Sequence, residues 1–384
     1  MDKKKIIRIT TVPISMNKIL VGQLTFLNTY YNIIGVSSYV EKDFNEIEQR
    51  EGIKMLDIPL MRTISIKQDF IALLKLIQLF RKERPDIVHT HTPKAGLLGM
   101  LASKITRIPV RLHTLGGMPL MELTGKKKKI LEFTEKLTYK CAHKIYPNSK
   151  GLMDFILEYK FTTLDKVKVL GHGSSNGVDT AFFTRDYSGA EIETEALKDE
   201  LGIKKTDFVF FFLGRLAKDK GIVELVAAFK KLNNPNLKLL LVGILETENS
   251  SLSSDTIETI QDDASIIFPG RTDNVRAYLR LADVFVFPSY REGFPNVLLQ
   301  AGSMGLPVIA TNINGCNEII TNGETGILIP VKDENVLAEK MTLLLENEAL
   351  RQQFSHKIRK RVEEKFTHSI IWEAVLQEYD TYLK

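Results

Sequence analysis

The chain has little cysteine. Two occur in 384 residues, Cys141 and Cys316, far apart in sequence. That excludes a disulfide framework and a spaced zinc-ligand pattern, and it is the usage expected of a reducing compartment. Long apolar runs are also missing, since none approaches the roughly 18 residues that a membrane span requires. The opening segment, MDKKKIIRITTV, leads straight into a strand pattern without the apolar stretch and small-residue cleavage site of a secretory signal. A cytoplasmic location is therefore expected. Glycine is absent where a dinucleotide would need it. The link after the first strand, residues 13–17, contains none, whereas a pyrophosphate-binding first turn uses glycine for close backbone approach. This disfavours a nicotinamide-dependent Rossmann oxidoreductase. No G-x-x-x-x-G-K-[ST] segment suggests a P-loop, and no Cys/His cluster suggests zinc. Charge of one sign is not in large excess: the net value of +5 weakly favours anionic partners and does not indicate a nucleic-acid binder.

What is there is ordinary for a globular chain, with 44% hydrophobic and 26% charged residues, enough for a full core in each of two or three domains. Short apolar runs alternate with amphipathic stretches. The first half reads as strands over 4–12, 33–38, 53–58, 87–89, 110–114, 144–146 and 166–170. Helices are expected over 18–31, 65–82, 94–106 and 126–141. The second half reads as strands over 208–213, 237–242, 266–268, 284–287, 308–310 and 327–329, with closing helices over 332–347, 348–365 and 368–383. Alternation with short links predicts parallel sheets covered on both faces. The expected domains are 1–180 and 206–366, joined by a polar linker over 181–205, with 367–384 returning to the first domain.

The stretch DVFVFPSYREGFPNVLLQAGSMGLPVIAT, residues 283–311, organises the second half. A buried strand ends at Pro288-Ser289. A tight turn then holds Glu292, and Pro295 sits where a helix begins and a missing N–H costs nothing. Backbone N–H groups of Gly293, Phe294, Pro295-flanking Asn296 and Val297 lie at that helix N-terminus, which suits an electron-rich ligand. GRLAKDKG places Gly214 and Arg215 after the first strand of this half and Lys220 at a helix start. A planar fork and a point charge there suit a diphosphate. The alternative is a solvated basic turn, and for Glu292 a surface ion pair.

These residues resemble the nucleotide-sugar signature of the family 4 retaining glycosyltransferases, S-x-x-E-G-F-P-x-x-x-x-E-A. Glu292 and Gly293-Phe294-Pro295 match, while the position of the second Glu holds Gln300. GRL-x(3)-KG resembles the same family's diphosphate segment. The resemblance covers essentially the whole chain. It implies the fold class GT-B: α/β, two Rossmann-like doubly wound parallel-sheet domains facing across a cleft, the second holding the donor and the first the acceptor.

Residue by residue, the resemblance implies that Glu292 contacts donor-sugar hydroxyls and that Arg215 and Lys220 neutralise the leaving diphosphate. Gly243 and Arg271, at the ends of the next two strands, would flank the nucleotide. Gln300 would meet the ribose as a neutral and weaker acceptor than a carboxylate. Glu292, Arg215, Lys220 and His113 form the implied catalytic set. Lys18, Gln23, His91, His113, Gly117 and Asn176 are the implied acceptor-side groups, although a lone histidine is more often structural. The absence of Asp-x-Asp, which GT-A transferases use for a divalent ion, leaves charge neutralisation to Arg215 and Lys220, so no metal and no cofactor are expected. The implied reaction moves an N-acetylhexosamine from a UDP-sugar to a lipid-diphosphate-linked saccharide in surface-polysaccharide synthesis. Lys126 to Lys129, beside Leu120, Met121 and Leu123, suggest peripheral contact with the inner membrane leaflet. A GT-B UDP-sugar 2-epimerase and a non-catalytic nucleotide-sugar-binding module are the alternatives.

Overall fold

The central strands of the computed structural model are short apolar runs buried on both faces, the condition for a parallel sheet, while the edge strands Lys54–Asp57 and Ile266–Gly270 are partly exposed. The structure describes residues 3–63, 65–117, 125–247 and 251–383. The chain divides into two units, one of residues 1–177 and 368–384 and the other of residues 178–367.

In the first unit the strands are β1 (Lys5–Ile9), β2 (Asn32–Ser37), β3 (Lys54–Asp57), β4 (Ile87–His91), β5 (Val110–Leu115) and β6 (Lys144–Pro147). Their order is β3-β2-β1-β4-β5-β6, parallel throughout. The order reverses between β1 and β4, and the crevice beyond the carboxyl ends there is where open α/β sheets hold ligands. The second unit repeats the plan with β7 (Phe208–Leu213), β8 (Leu237–Val242), β9 (Ile266–Gly270), β10 (Val284–Phe287), β11 (Val308–Thr311) and β12 (Ile327–Ile329). Their order is β12-β11-β10-β7-β8-β9, so the reversal falls between β7 and β10.

Three expectations need correction. The helix expected over 18–31 is two helices, Pro13–Ile19 and Gln23–Tyr30. Gly22 breaks it at φ 75°, and a Cβ there would lie 2.7 Å from the Trp372 ring, so the turn must be glycine. Residues 166–170 form no strand beyond a single bridge, Ile145 to Val167. Residues 181–205 are not a loose linker but part of the second unit. The helix Ala190–Leu201 buries Ala190, Thr194 and Leu197, a stripe at helical spacing. Arg280 Nη1 donates to Thr194 Oγ1 at 2.8 Å and Arg185 Nε to the Met304 carbonyl at 2.9 Å.

The last helix, His368–Leu383, belongs to the first unit. It packs on Gln23–Tyr30 through Trp372, whose ring centroid is 5.6 Å from that of Phe26. Tyr31 Oη donates to Asp380 at 2.6 Å.

The helix Gly125–Cys141 buries a lone carboxyl, Glu135, which is 6% exposed. Burial raises its pKa to about 7. A carboxyl whose folded pKa lies above its unfolded value binds more protons folded than unfolded, so stability falls as pH rises from about 4.5 to about 7. Glu135→Gln is expected to remove that loss, on the order of 2–3 kcal/mol. Urea unfolding at pH 5 and pH 8 checks it: the variant should gain over the wild type at pH 8 and little at pH 5.

Candidate active site

Four loops converge at the reversal point of the second sheet. The loop after β7 carries Arg215 and a 3₁₀ turn, Lys218–Lys220, before the helix Ile222–Lys231. The loop after β10 carries Ser289 to Pro295 before the helix Asn296–Ser303. Their backbones interlock, because a Cβ on Gly221 would sit 2.1 Å from the Pro288 carbonyl oxygen. β7 and β8 meet as closely, since a Cβ on Gly243 would sit 1.7 Å from the Gly214 carbonyl oxygen. Both glycines are therefore fixed by close approach rather than by a side-chain role.

Lys220 and Glu292 meet across this reversal point. Lys220 Nζ donates to Glu292 Oε1 at 2.5 Å, with only 17% and 16% of the side chains exposed. Ser289 Oγ donates to the same carboxylate oxygen at 2.9 Å. The turn is held from below by Asn314, whose Nδ2 donates to the carbonyls of Glu292 and Gly293, each at 3.0 Å. Gly315 lets this loop approach, since a Cβ there would lie 2.5 Å from the Gly293 oxygen. The Glu292 carboxylate in turn helps raise the pKa of the adjacent Cys316 thiol, where burial is the larger cause. Cys316 is therefore an inert packing group.

Arg215 is about half exposed and donates to Glu246 at 2.6 Å and to Asp219 at 3.4 Å. Arg291 also reaches Asp219, at 3.3 Å. Each cation thus holds an acid partner. Arg271 is largely exposed beside Asp273, at 3.5 Å. Phe294 and Pro295 are buried, the Phe294 ring 5.5 Å from that of Phe366, so Phe294 offers only its backbone to a ligand. Asn296, Val297 and Gln300 lie half-buried on the helix Asn296–Ser303. The second-half residues expected from sequence therefore cluster at the strand ends. Asn314 and Asp219 were not anticipated, and Ser289 stood in the S-x-x-E frame without an assigned role; the Asn314-Gly315 turn signal was legible, but its partner loop was not.

The first unit has a hollow of about 180 Å³ at its own reversal point. His91, Thr114 and Gly117 line it, with Ile19 and Leu20 as an apolar wall. The other expected acceptor-side groups do not reach it. Gln23 is fully buried, accepting from Arg8 Nη2 at 2.8 Å and donating to Asn176 Oδ1 at 3.1 Å. Asn176 is buried too, donating to the Val21 carbonyl and accepting from Trp372 Nε1. Both are consumed in holding loops together. Lys18 is exposed and outside the lining residues.

His113 is a correction. It lies on the opposite face of β5 from Thr114, under the helix Pro93–Ile105, where a Cβ on Gly96 would touch its ring at 2.5 Å. Its Nδ1 bonds Thr90 at 2.9 Å, and burial pushes its pKa down to about 4. It is a core residue, because strand side chains alternate faces and this face is covered by a helix.

Among the described residues no group of three or more His, Cys, Asp and Glu side chains could hold a metal ion, and no helix is long and apolar enough to cross a membrane. Leu120, Met121 and Leu123 lie outside the described residues, as do the side chains of Lys126 and Lys127.

The chain is similar in sequence and fold to known glycosyltransferases. Residues 193–361 match the family described as Glycosyl transferases group 1, and residues 17–149 match Glycosyl transferase 4-like. The chain is 38% identical over 386 residues to the Capsular polysaccharide biosynthesis glycosyltransferase CapM of Staphylococcus aureus, covering 100% of this chain and 99% of that one. It is 30% identical over 293 residues to an Escherichia coli UDP-Gal:alpha-D-GlcNAc-diphosphoundecaprenol alpha-1,3-galactosyltransferase, covering 74% and 72%. A glycosyltransferase structure from Rickettsia africae superposes with a TM-score of 0.83 at 20% identity over the full length of both chains. Anabaena HepE, solved with UDP and glucose, superposes with a TM-score of 0.81 at 17% identity over 98% and 100%. With two doubly wound parallel sheets of the GT-B class and a full-length relative at 38% identity, the chain belongs to the group 1 glycosyltransferases.

Proposed function

We propose that this glycosyltransferase moves an N-acetylhexosamine from a UDP-sugar to a saccharide carried on a lipid diphosphate, with retention at the anomeric carbon and without a metal ion. One observation carries the mechanism: Lys220 and Glu292 form an ion pair at the reversal point of the donor-type sheet. The relatives' names, which include lipid-diphosphate acceptors, support the acceptor class.

The pair is a placeholder. A diphosphate entering beside Lys220 and Arg215 gives both cations a stronger, doubly charged partner than a carboxylate. Glu292 is then released to accept hydrogen bonds from sugar hydroxyls. As the bond to the leaving diphosphate breaks, charge grows on that oxygen, and preorganised cations stabilise it without reorganisation. The leaving oxygen then takes the acceptor proton on the same face, so no protein base is required. His113, buried under a helix, is not placed in the reaction.

A panel of UDP-, GDP- and ADP-sugars, read by thermal shift and then by nucleotide release with and without a lipid-diphosphate acceptor, tests the reading. Release that depends on UDP-N-acetylhexosamine and acceptor together is expected. Isomerised UDP-sugar without acceptor would instead make it an epimerase. Gln300→Glu is expected to tighten UDP by about 1 kcal/mol, the difference between neutral and charged hydrogen bonds to the ribose; titration calorimetry measures it, and weaker binding would show a pocket shaped around the amide.

We also place the enzyme at the inner membrane face. Lys129 is exposed, and Ile130 and Phe133 beside it are 52% and 67% exposed, a basic and apolar mixture suited to anionic headgroups.

A further inference from the structure

Among the described residues, Arg8 is a buried cation without a carboxylate partner. It sits on β1 with 0% exposure, and among the described residues its side chain meets the neutral side chains of Tyr379, Gln23 and His91. A buried charge held only by neutral groups orders every proton around it, because a guanidinium can only donate.

Two chains of hydrogen bonds leave Arg8. In the first, Nη2 donates to His91 Nε2 at 2.8 Å. His91 must therefore accept at Nε2 and carry its proton on Nδ1. In the second, Nη1 donates to Tyr379 Oη at 2.9 Å. Tyr379 Oη then donates to His89 Nδ1 at 2.6 Å, and His89 Nε2–H donates to Thr114 Oγ1 at 2.7 Å. The Thr114 hydroxyl proton is left to point elsewhere. The two stacked histidines, 4.6 Å apart between centroids, thus hold opposite tautomers. Burial and the Arg8 charge hold the pKa of both well below the ordinary imidazole value, so neither adds a proton at neutral pH.

Both chains end in one place. His91 and Thr114 are register partners on β4 and β5, and both line the hollow. The helix Pro93–Ile105 begins at its rim with no acidic residue of its own in the first turn, so its positive end favours an anion there. Polarised chains strengthen their terminal donors.

Resting on the acceptor reading above, we infer that this hollow binds a phosphate oxygen of the acceptor diphosphate, through the Nδ1–H of His91 and the hydroxyl of Thr114, both aimed by the buried charge of Arg8. The apolar wall of Ile19 and Leu20 favours a phosphate attached to a lipid over a nucleotide. His91 is then a donor only, since its other nitrogen is occupied, and it cannot serve as a general base. Arg8, His89 and Tyr379 are positioning residues.

Long-range ¹H–¹⁵N spectra of the full chain, with His89 and His91 assigned by His89→Gln and His91→Asn, test this on the wild type without perturbing it. His91 is expected as the Nδ1–H tautomer and His89 as the Nε2–H tautomer at neutral pH. The reverse tautomers, or an imidazolium, would overturn the proposal. Inorganic diphosphate should then move the His91 Nδ1–H signal, and a short-chain prenyl diphosphate should move it at lower concentration than UDP. Silence towards both diphosphates overturns the site, and a stronger response to UDP overturns the acceptor assignment. Thr114→Val should weaken the prenyl diphosphate response about tenfold, the loss of a hydrogen bond to a charged group, and Thr114→Ser should restore it. Sugar transfer is measured on the same wild-type preparation, and turnover without a His91 response overturns the phosphate site alone.

Discussion

Glu292→Gln is expected to lower sugar transfer by about 10²-fold or more while leaving UDP binding almost unchanged. The amide keeps the shape of the carboxylate and can still accept from Ser289, which donates to Oε1 at 2.9 Å. What it loses is charge, both for the sugar hydroxyls and for positive charge developing at the ring. The ion pair with Lys220 is largely buried, at 17% and 16% exposure, but the amide oxygen can still accept from Lys220, so the stability loss should stay below the roughly 3–5 kcal/mol of leaving a buried partner bare. A merely structural Glu292 would instead lower stability and UDP binding together. Titration calorimetry with UDP beside a radiolabelled transfer assay separates the two. Normal transfer by the variant would move the active site away from this turn.

The second large effect concerns the cations opposite. Lys220→Ala and Arg215→Ala should each cut turnover by about 10²–10³, the value of a preorganised contact worth about 3–4 kcal/mol in the transition state. Their stability effects should differ. Arg215 is about half exposed, and its ion pairs with Glu246 and Asp219 contribute little at a wet surface. Lys220→Ala leaves Glu292 with Ser289 and no cation, so its melting temperature should fall further than that of Arg215→Ala. Single-turnover rates and thermal melts of both variants check this. Near wild-type kcat with a normal melting point would remove either residue from the mechanism.

Much of the second-half site was legible in the sequence because it is built locally. Glu292, Gly293 and Pro295 lie within one turn between a strand and a helix, and a turn of that composition has few conformations. Arg215 and Lys220 likewise follow one strand within a single short loop. The alternation of apolar runs and amphipathic stretches determined the two parallel sheets, since no other layering buries both faces of such strands.

The first half was decided by tertiary structure. His113 and Thr114 are neighbours in sequence, but alternation sends one under the helix Pro93–Ile105 and the other towards His89. The sequence shows that they face opposite ways, and only the packed helix shows which face is closed. Gln23 and Asn176 are 153 positions apart, yet each satisfies the other, which removes both from the hollow. The segment 181–205 looks like a polar linker until Ala190, Thr194 and Leu197 meet the helix Val275–Leu281. Arg8 was visible as a charge inside the strand KIIRI. That it has neutral partners, one of them on the last helix 371 positions away, could not be read from the chain. A charge is compensated or not only by what folding brings beside it, and that long-range placement is what the tertiary structure added to the local patterns.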